Sequence, residues 1–148
     1  MRNEQGVNYK MLAPEQVDYP SLSPDELVNL FAYVSHRNRA ITALVGGLTG
    51  TELRRVRLTD AARNALIRGL EHANPRVRWW CLQLMDHVGD ERCLEHIIRA
   101  LDDPVPRVRK MAQHALECEK CKQSPRVAEA AQRALARHSA QRPAEHGG

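Results

Sequence analysis

Two cysteines and a histidine close to position 118 have the types and spacing of metal ligands. Cys118 and Cys121 are separated by two residues, and His114 lies four residues before Cys118. Residues four apart share one face of a helix, and imidazole and thiolate groups are ligands that zinc prefers in proteins. We therefore predict that His114, Cys118 and Cys121 could converge on zinc. A reversible disulfide between the two cysteines, or ordinary loop cysteines, are the alternatives.

A tetrahedral zinc ion would need a fourth ligand at this cluster. The candidates elsewhere in the chain are Cys93, His96 and His138. Zinc sites usually show a second closely spaced ligand pair, which this sequence lacks. Apart from zinc at this cluster, the sequence predicts no cofactor.

Other acidic residues that neighbour histidines do not form an acid–base site. Asp86-His87 and Glu95-His96 are adjacent pairs, and adjacent residues on a helix do not face a common point. The sequence contains no HExxH motif, no glycine-rich phosphate loop and no serine in a strained nucleophile turn. We therefore predict that the protein is not an enzyme.

Basic residues recur in the turns of the C-terminal part of the chain. Residues 1–53 hold four Lys/Arg and six Asp/Glu, whereas residues 54–148 hold eighteen and twelve. A basic half attracts phosphates or acidic protein surfaces, and charge alone does not choose between them. The candidate binding residues are Arg76, Trp79, Arg107, Lys110 and Arg126.

The two tryptophans are adjacent and therefore point about 100° apart on a helix. Trp80 falls on the apolar face and is predicted to be core. Trp79 falls with Leu82 and Asp86 off that face. An exposed Trp79 would be a typical interface anchor; the alternative is that it packs beneath the N-terminal helices.

An internal repeat predicts the elements that carry these residues. Residues 74–78 read NPRVR and match residues 105–109, VPRVR; residues 66–70 read LIRGL and match residues 97–101, IIRAL. Both matches have an offset of 31 residues, which predicts two tandem helix pairs. Proline suits the first turn of a helix, and the apolar residues that follow are spaced by three and four. The predicted helices cover about 60–72, 75–88, 91–101 and 106–118.

The flanks of the repeat are less regular. Ser23 and Glu26 are placed for a capping box at a helix start. Further helices are predicted at about 24–35, 38–48 and 125–138, the last as a lone helix that closes the stack. The predicted folded domain covers residues 21–138, and residues 1–20 and 139–148 are predicted to be disordered.

The turn and helix at residues 103–109, DPVPRVR, followed by Ala112, Ala115 and Leu116, resembles a HEAT-like repeat of the short bacterial type. Residues 60–89 are similar. The resemblance implies an all-α fold, a short α-α superhelix with irregular flanking helices. In such a stack neighbouring helix pairs bury each other's apolar faces.

The resemblance also implies roles for arginines in the turns. Arg78 and Arg109 occupy the position where such repeats commonly hold a structural arginine. Many such repeats carry aspartate where this chain has Asn74 and Val105. We therefore expect a buried Asp–Arg ladder between neighbouring repeats to be absent or incomplete.

The repeat favours a binding module over an enzyme. Proteins with this repeat include scaffolds, bilin lyases and a group of DNA alkyl-base glycosylases, and such enzymes need more repeats to build a cleft. We expect a non-enzymatic adaptor that binds another protein through the repeat surface. Weak nucleic-acid binding through the basic turn edge, or a zinc or thiol site at the CxxC, is the alternative.

The remaining expectations concern assembly and location. Two repeats are near the lower limit for a stable stack, which makes self-association plausible. No apolar run approaches the roughly 20 residues that cross a bilayer, so no membrane partner is predicted. Residues 1–20 lack the apolar stretch of a secretory signal, and we expect a cytoplasmic protein with reduced cysteines.

Overall fold

The computed structural model describes residues 8–88, 90–118, 122 and 124–141. Within these residues the chain forms α-helices and short 3-10 turns, and no β-strand. The helices are α1 (Pro24–Asn29), α2 (Val34–Val45), α3 (Gly50–Leu53), α4 (Asp60–Gly69), α5 (Pro75–Val88), α6 (Leu94–Ala100), α7 (Pro106–Glu117) and α8 (Pro125–Gln141). The predicted all-α fold is confirmed. None of the helices in these ranges has the length and apolarity that crossing a bilayer requires.

The two repeat units form stacked helix pairs. Helix α4 packs with α5, α6 packs with α7, and the second helices α5 and α7 lie against each other. Helices α1 and α2 form a further pair at the N-terminal end, where α1 packs on α4. At the other end α8 lies across α6 and α7. The result is a short helical stack, with one helix at its C-terminal end in place of another pair.

Local sequence explains where several helices begin and end. The Ser23 hydroxyl accepts a hydrogen bond from the Glu26 amide at 3.2 Å, and the Glu26 carboxylate accepts one from the Ser23 amide at 3.3 Å. This is the predicted capping box. Pro75 and Pro106 are the first residues of α5 and α7, where a missing N–H leaves no intrahelical bond unmade. Gly46 follows α2 with a φ of 83°, a left-handed conformation that favours glycine.

The second helices of the repeat units, α5 and α7, each contribute a set of closely spaced buried residues to the core. In α7 the buried residues are the predicted stripe, Val108, Met111, Ala112, Ala115 and Leu116. Helix α5 is buried more widely, because α1, α3, α4 and α7 all contact it. Leu82 and Asp86, predicted to lie off the apolar face, are therefore buried. Trp80, predicted to be core, is only half-buried and packs against the edge of the core.

The prediction that residues 1–20 are disordered is wrong for residues 8–20. Three 3-10 turns, at Tyr9–Met11, Pro14–Gln16 and Tyr19–Ser21, lay this segment against the helices. Tyr9 and Tyr19 are buried beside His36 of α2, which is fully buried. The Tyr19 hydroxyl bonds His36 Nδ1, and His36 Nε2 donates to the Tyr9 carbonyl at 2.8 Å. These long-range contacts order a segment whose own sequence is polar.

The C-terminal boundary also differs from the prediction. Residues 139–141 were expected to be disordered but continue α8 to Gln141, because the helical pattern of Ala131, Ala134 and Leu135 carries on into residues that still favour a helix. Residues 1–7 and 142–148 lie outside the described part of the chain.

An Asp–Arg pair joins the two repeats, in keeping with the expectation that the ladder is absent or incomplete. Arg78 of α5 donates from Nε and Nη2 to the two carboxylate oxygens of Asp103 at 2.8 and 3.1 Å. Asp103 lies in the turn before α7, so this pair joins the first repeat to the second. The equivalent Arg109 donates instead to the Asp103 carbonyl at 2.8 Å. The ladder is therefore incomplete, and its aspartate comes two residues before the expected position of Val105.

Candidate functional site

A groove of about 410 Å³ opens where the N-terminal turns of three helices meet. Helix α2 contributes its first turn, and so do α5 and α7, the second helices of the two repeats. Helix N-termini carry partial positive charge, so this end of the stack favours a negatively charged ligand. The residues that line the groove are Val34, Arg37, Pro75, Arg76, Trp79, Trp80, Val105, Arg107 and Val108.

The two tryptophans form one aromatic wall of the groove. Their ring centroids are 4.9 Å apart and the ring planes meet at 76°, an edge-to-face arrangement. The guanidinium carbon of Arg37 lies 4.8 Å from the centroid of the Trp80 ring, within the range of a cation–π contact. Arg37 Nε also donates to the Phe31 carbonyl at 2.8 Å. Arg37 is therefore held in one position at the groove.

The groove carries positive charge without an acidic residue to balance it. Arg37, Arg76 and Arg107 line it, and none of the described residues that line it is an aspartate or a glutamate. Burial lowers the pKa of Arg37, and the positive charge of Arg76 lowers it further. Arginine stays protonated at neutral pH even so. An anionic group in the groove would relieve the repulsion between these side chains.

Three of the five predicted binding residues come together in this groove, namely Arg76, Trp79 and Arg107. Trp79 is half-buried and packs against the core, so it is neither a fully exposed anchor nor a core residue. Trp79 therefore lines the groove with one part of its side chain and packs against the core with another.

The other two predicted binding residues lie elsewhere. Lys110 lines a separate groove beside the end of α8, with Gln113 and His138. Arg126, in the first turn of α8, pairs with Glu91 at 2.7 Å. The basic strip predicted along the turns is therefore divided: Arg76 and Arg107 share one groove, and Lys110 and Arg126 lie outside it.

Six residues of the groove lining were not among the predicted binding residues, and two of these six lie outside the repeat. Val34 and Arg37 belong to α2, which lies outside the 31-residue repeat. No offset relates α2 to α5 or α7, so the sequence holds no signal that places its first turn beside theirs.

The predicted metal ligands are partly brought together. Cys118 and His114 lie with Asp86 of α5, and the ligand atoms of the three all lie within 4.8 Å of one another. Cys121 lies outside the described residues. Of the proposed fourth ligands, His96 lines a different groove and His138 lies 3.6 Å from Asp102. Asp86 was missed because its helical position predicted exposure.

Comparisons with known proteins give one result. A family model described as HEAT repeats matches residues 32–117 and, in a second match, residues 63–144. The two matches together cover α2 through α8 and begin after α1. No curated protein and no solved structure matches the chain.

Proposed function

This chain belongs to the HEAT repeat family, and we propose that it is a non-enzymatic adaptor that binds an acidic segment of another protein. Repeat proteins of this kind present extended surfaces that bind partners. The observation that carries the proposal is the groove at the N-terminal turns of α2, α5 and α7, where three arginines lie beside two tryptophans.

The lining of the groove indicates what the segment should contain. Arginine binds carboxylates with two parallel hydrogen bonds, so Arg76 and Arg107 suit aspartate or glutamate side chains. Val34 is 75% exposed at the rim and, with Trp79, offers an apolar surface. Tryptophan and arginine are the residues that most often dominate binding energy at protein interfaces. We therefore propose a short acidic peptide with at least one bulky apolar residue.

A protein segment suits this groove better than a nucleic acid. Nucleic-acid binding relies on a track of several phosphate contacts. Lys110 and Arg126, which would extend such a track, do not line the groove, and Arg126 is already paired with Glu91. The apolar residues of the lining would also gain nothing from contact with a phosphate backbone.

The proposal can be tested by panning a random peptide library on the intact protein. We expect the selected peptides to be rich in aspartate and glutamate next to a bulky apolar residue. Trp79→Ala and Arg107→Glu should each weaken binding of a selected peptide by roughly tenfold or more. Lys110→Glu, the same charge reversal outside the groove, should leave binding within about twofold.

Two results would contradict the proposal. One is a library that yields no acidic peptide, or peptides that bind Arg107→Glu as tightly as the wild-type protein. The other is duplex DNA or RNA that binds more tightly than any selected peptide, with affinity that falls steeply between two salt concentrations as counterion release requires. That second result would favour nucleic-acid binding instead.

A further inference from the structure

A second cluster of potential ligands lies at the C-terminal end of α7, away from the groove. Asp86 comes from α5, His114 from the last turn of α7 and Cys118 from the residue just after it. They meet because α5 and α7 pack against each other. His114 Nε2 lies 3.2 Å from Asp86 Oδ2, and the Cys118 sulfur lies within 4.8 Å of a ring nitrogen of His114 and of a carboxylate oxygen of Asp86.

One carboxylate oxygen of Asp86 is buried without a hydrogen-bond donor. The side chain of Asp86 is fully buried, and Oδ2 accepts no hydrogen bond from any described residue. His114 Nε2 is close but not aligned to donate. A buried carboxylate oxygen without a donor is costly and calls for an explanation, such as an ion. Oδ2 lies beside the His114 nitrogen, and an ion bound at this cluster would satisfy it.

Lys122 holds the other oxygen of the same carboxylate. Its ammonium donates to Asp86 Oδ1 at 2.6 Å and to the Cys118 carbonyl at 3.0 Å. The Lys122 side chain is buried as well. The bond to Oδ1 fixes the orientation of the carboxylate and leaves Oδ2 beside the His114 nitrogen. Hydrogen bonds of this kind orient metal ligands in proteins.

We propose that Asp86, His114 and Cys118 bind a zinc ion. Zinc takes nitrogen, sulfur and oxygen ligands at about 2.0 to 2.3 Å in a tetrahedron, which places neighbouring ligand atoms roughly 3.3 to 3.8 Å apart. The separation of 3.2 Å between His114 Nε2 and Asp86 Oδ2 is already close to that range, and the separations from the Cys118 sulfur are at most 4.8 Å. Calcium and magnesium prefer sites made of oxygen alone, so a mixed set favours zinc. Water or another donor takes the fourth position.

The proposed ion links parts of the chain that are distant in sequence. It would join the middle of the stack, at α5, to the segment that leads from α7 into α8. Binding requires a deprotonated Cys118 and a neutral His114, so zinc uptake should release protons. This site is separate from the groove, and its test does not depend on the peptide proposal.

The test measures metal binding to the full chain in its reduced form. After treatment with a chelator, the protein is dialysed against zinc chloride and its metal content is measured. We expect one zinc ion per chain. Cobalt chloride in place of zinc should give intense visible bands of tetrahedral coordination and a near-ultraviolet thiolate-to-cobalt band.

Substitution of each proposed ligand tests whether that residue binds the zinc ion. His114→Ala and Cys118→Ser should each lower zinc affinity by roughly tenfold or more, and Cys118→Ser should remove the thiolate band. His96→Ala replaces a histidine outside the cluster and should bind zinc as the wild type does. Circular dichroism confirms that each variant is folded. Substoichiometric zinc in the reduced wild type, or unchanged affinity in folded His114→Ala, would overturn the proposal.

Discussion

Cys81 occupies the space that a side chain at Gly69 would need. A Cβ built at Gly69 would overlap the Cys81 sulfur and lie 2.8 Å from Val28 Cγ1. Gly69 ends α4, Cys81 lies in α5 and Val28 lies in α1. Three helices therefore meet at a point where one of them has no side chain.

We expect Gly69→Ala to lower the free energy of unfolding by about 1 to 3 kcal/mol, the usual cost of overpacking a core. Alanine is the better helix former by about 1 kcal/mol, but the clash outweighs this gain. Urea unfolding followed by circular dichroism measures the change. Gly50→Ala is the control, because a Cβ there would meet no atom within 4 Å. Equal stability of Gly69→Ala and the wild type would show that α1, α4 and α5 leave room for a methyl group at this position.

The Arg78–Asp103 pair gives a prediction about the link between repeats. Only 11% of the Arg78 side chain and 7% of the Asp103 side chain are exposed. Asp103→Asn would leave the buried guanidinium without a countercharge, and we expect a loss of about 3 kcal/mol or more in the free energy of unfolding. Chemical denaturation measures this loss.

The exposed Arg68–Asp25 pair provides the matched control. Its side chains are each 58% exposed, and exposed ion pairs contribute about 1 kcal/mol or less. Asp25→Asn should therefore have a small effect. A similar small effect in Asp103→Asn would mean that the buried pair does not hold the repeats together.

His72 should make the fold less stable in mild acid. Its Nδ1 accepts the Asn74 amide at 3.0 Å, and its Nε2 donates to Asn29 Oδ1 at 2.9 Å. Burial, and then the charge of Arg78, lower the pKa of His72 below its usual 6.5. The folded state therefore binds fewer protons than the unfolded state. Stability is present above the unfolded pKa and is lost as pH falls through the folded pKa.

The measurement is the free energy of unfolding between about pH 7 and pH 5. We expect a decline in the wild type that is smaller in His72→Gln, because that side chain does not titrate. His96→Gln should keep the wild-type decline. Identical pH dependence in His72→Gln and wild type would rule out this role for His72.

The packing of the N-terminal segment, residues 8–22, should be weakened by loss of the Tyr19 hydroxyl. Tyr19→Phe removes the partner of His36 Nδ1, and a buried polar atom left without a partner costs about 1 to 3 kcal/mol. We expect faster amide hydrogen exchange at Met11, Leu12 and Leu22, which bond within this segment. Amides in α7 should exchange at the wild-type rate. Unchanged exchange in the segment would show that other contacts hold it.

The sequence predicted the parts of the fold that local patterns determine. Helices α5 and α7 follow from proline at the first turn and from apolar spacing, and the capping box at Ser23 forms as predicted. The burial of Leu82 and Asp86 could not be predicted in this way. It arises because several helices surround α5, and a helical pattern read alone assumes one buried face.

The candidate site was predictable only where it lies within the repeat. Arg76 and Arg107 occupy equivalent turns, and the 31-residue offset places them on the same side of the stack. Arg37 contributes through α2, whose packing depends on long-range contacts. The order in residues 8–20 has the same origin, because the rings of Tyr9 and Tyr19 pack against His36 of α2.

The central claim is that Arg76 and Arg107 bind carboxylates of a partner peptide in the groove beside Trp79. A charge-swap titration tests it most directly. A selected acidic peptide, and the same peptide with its acidic residues changed to lysine, are titrated into the wild-type protein and into an Arg76→Glu/Arg107→Glu double variant. We expect the acidic peptide to lose roughly tenfold or more in affinity on the variant, and the lysine peptide to bind the variant better than the wild type. Equal affinity of the acidic peptide for both proteins would contradict the claim.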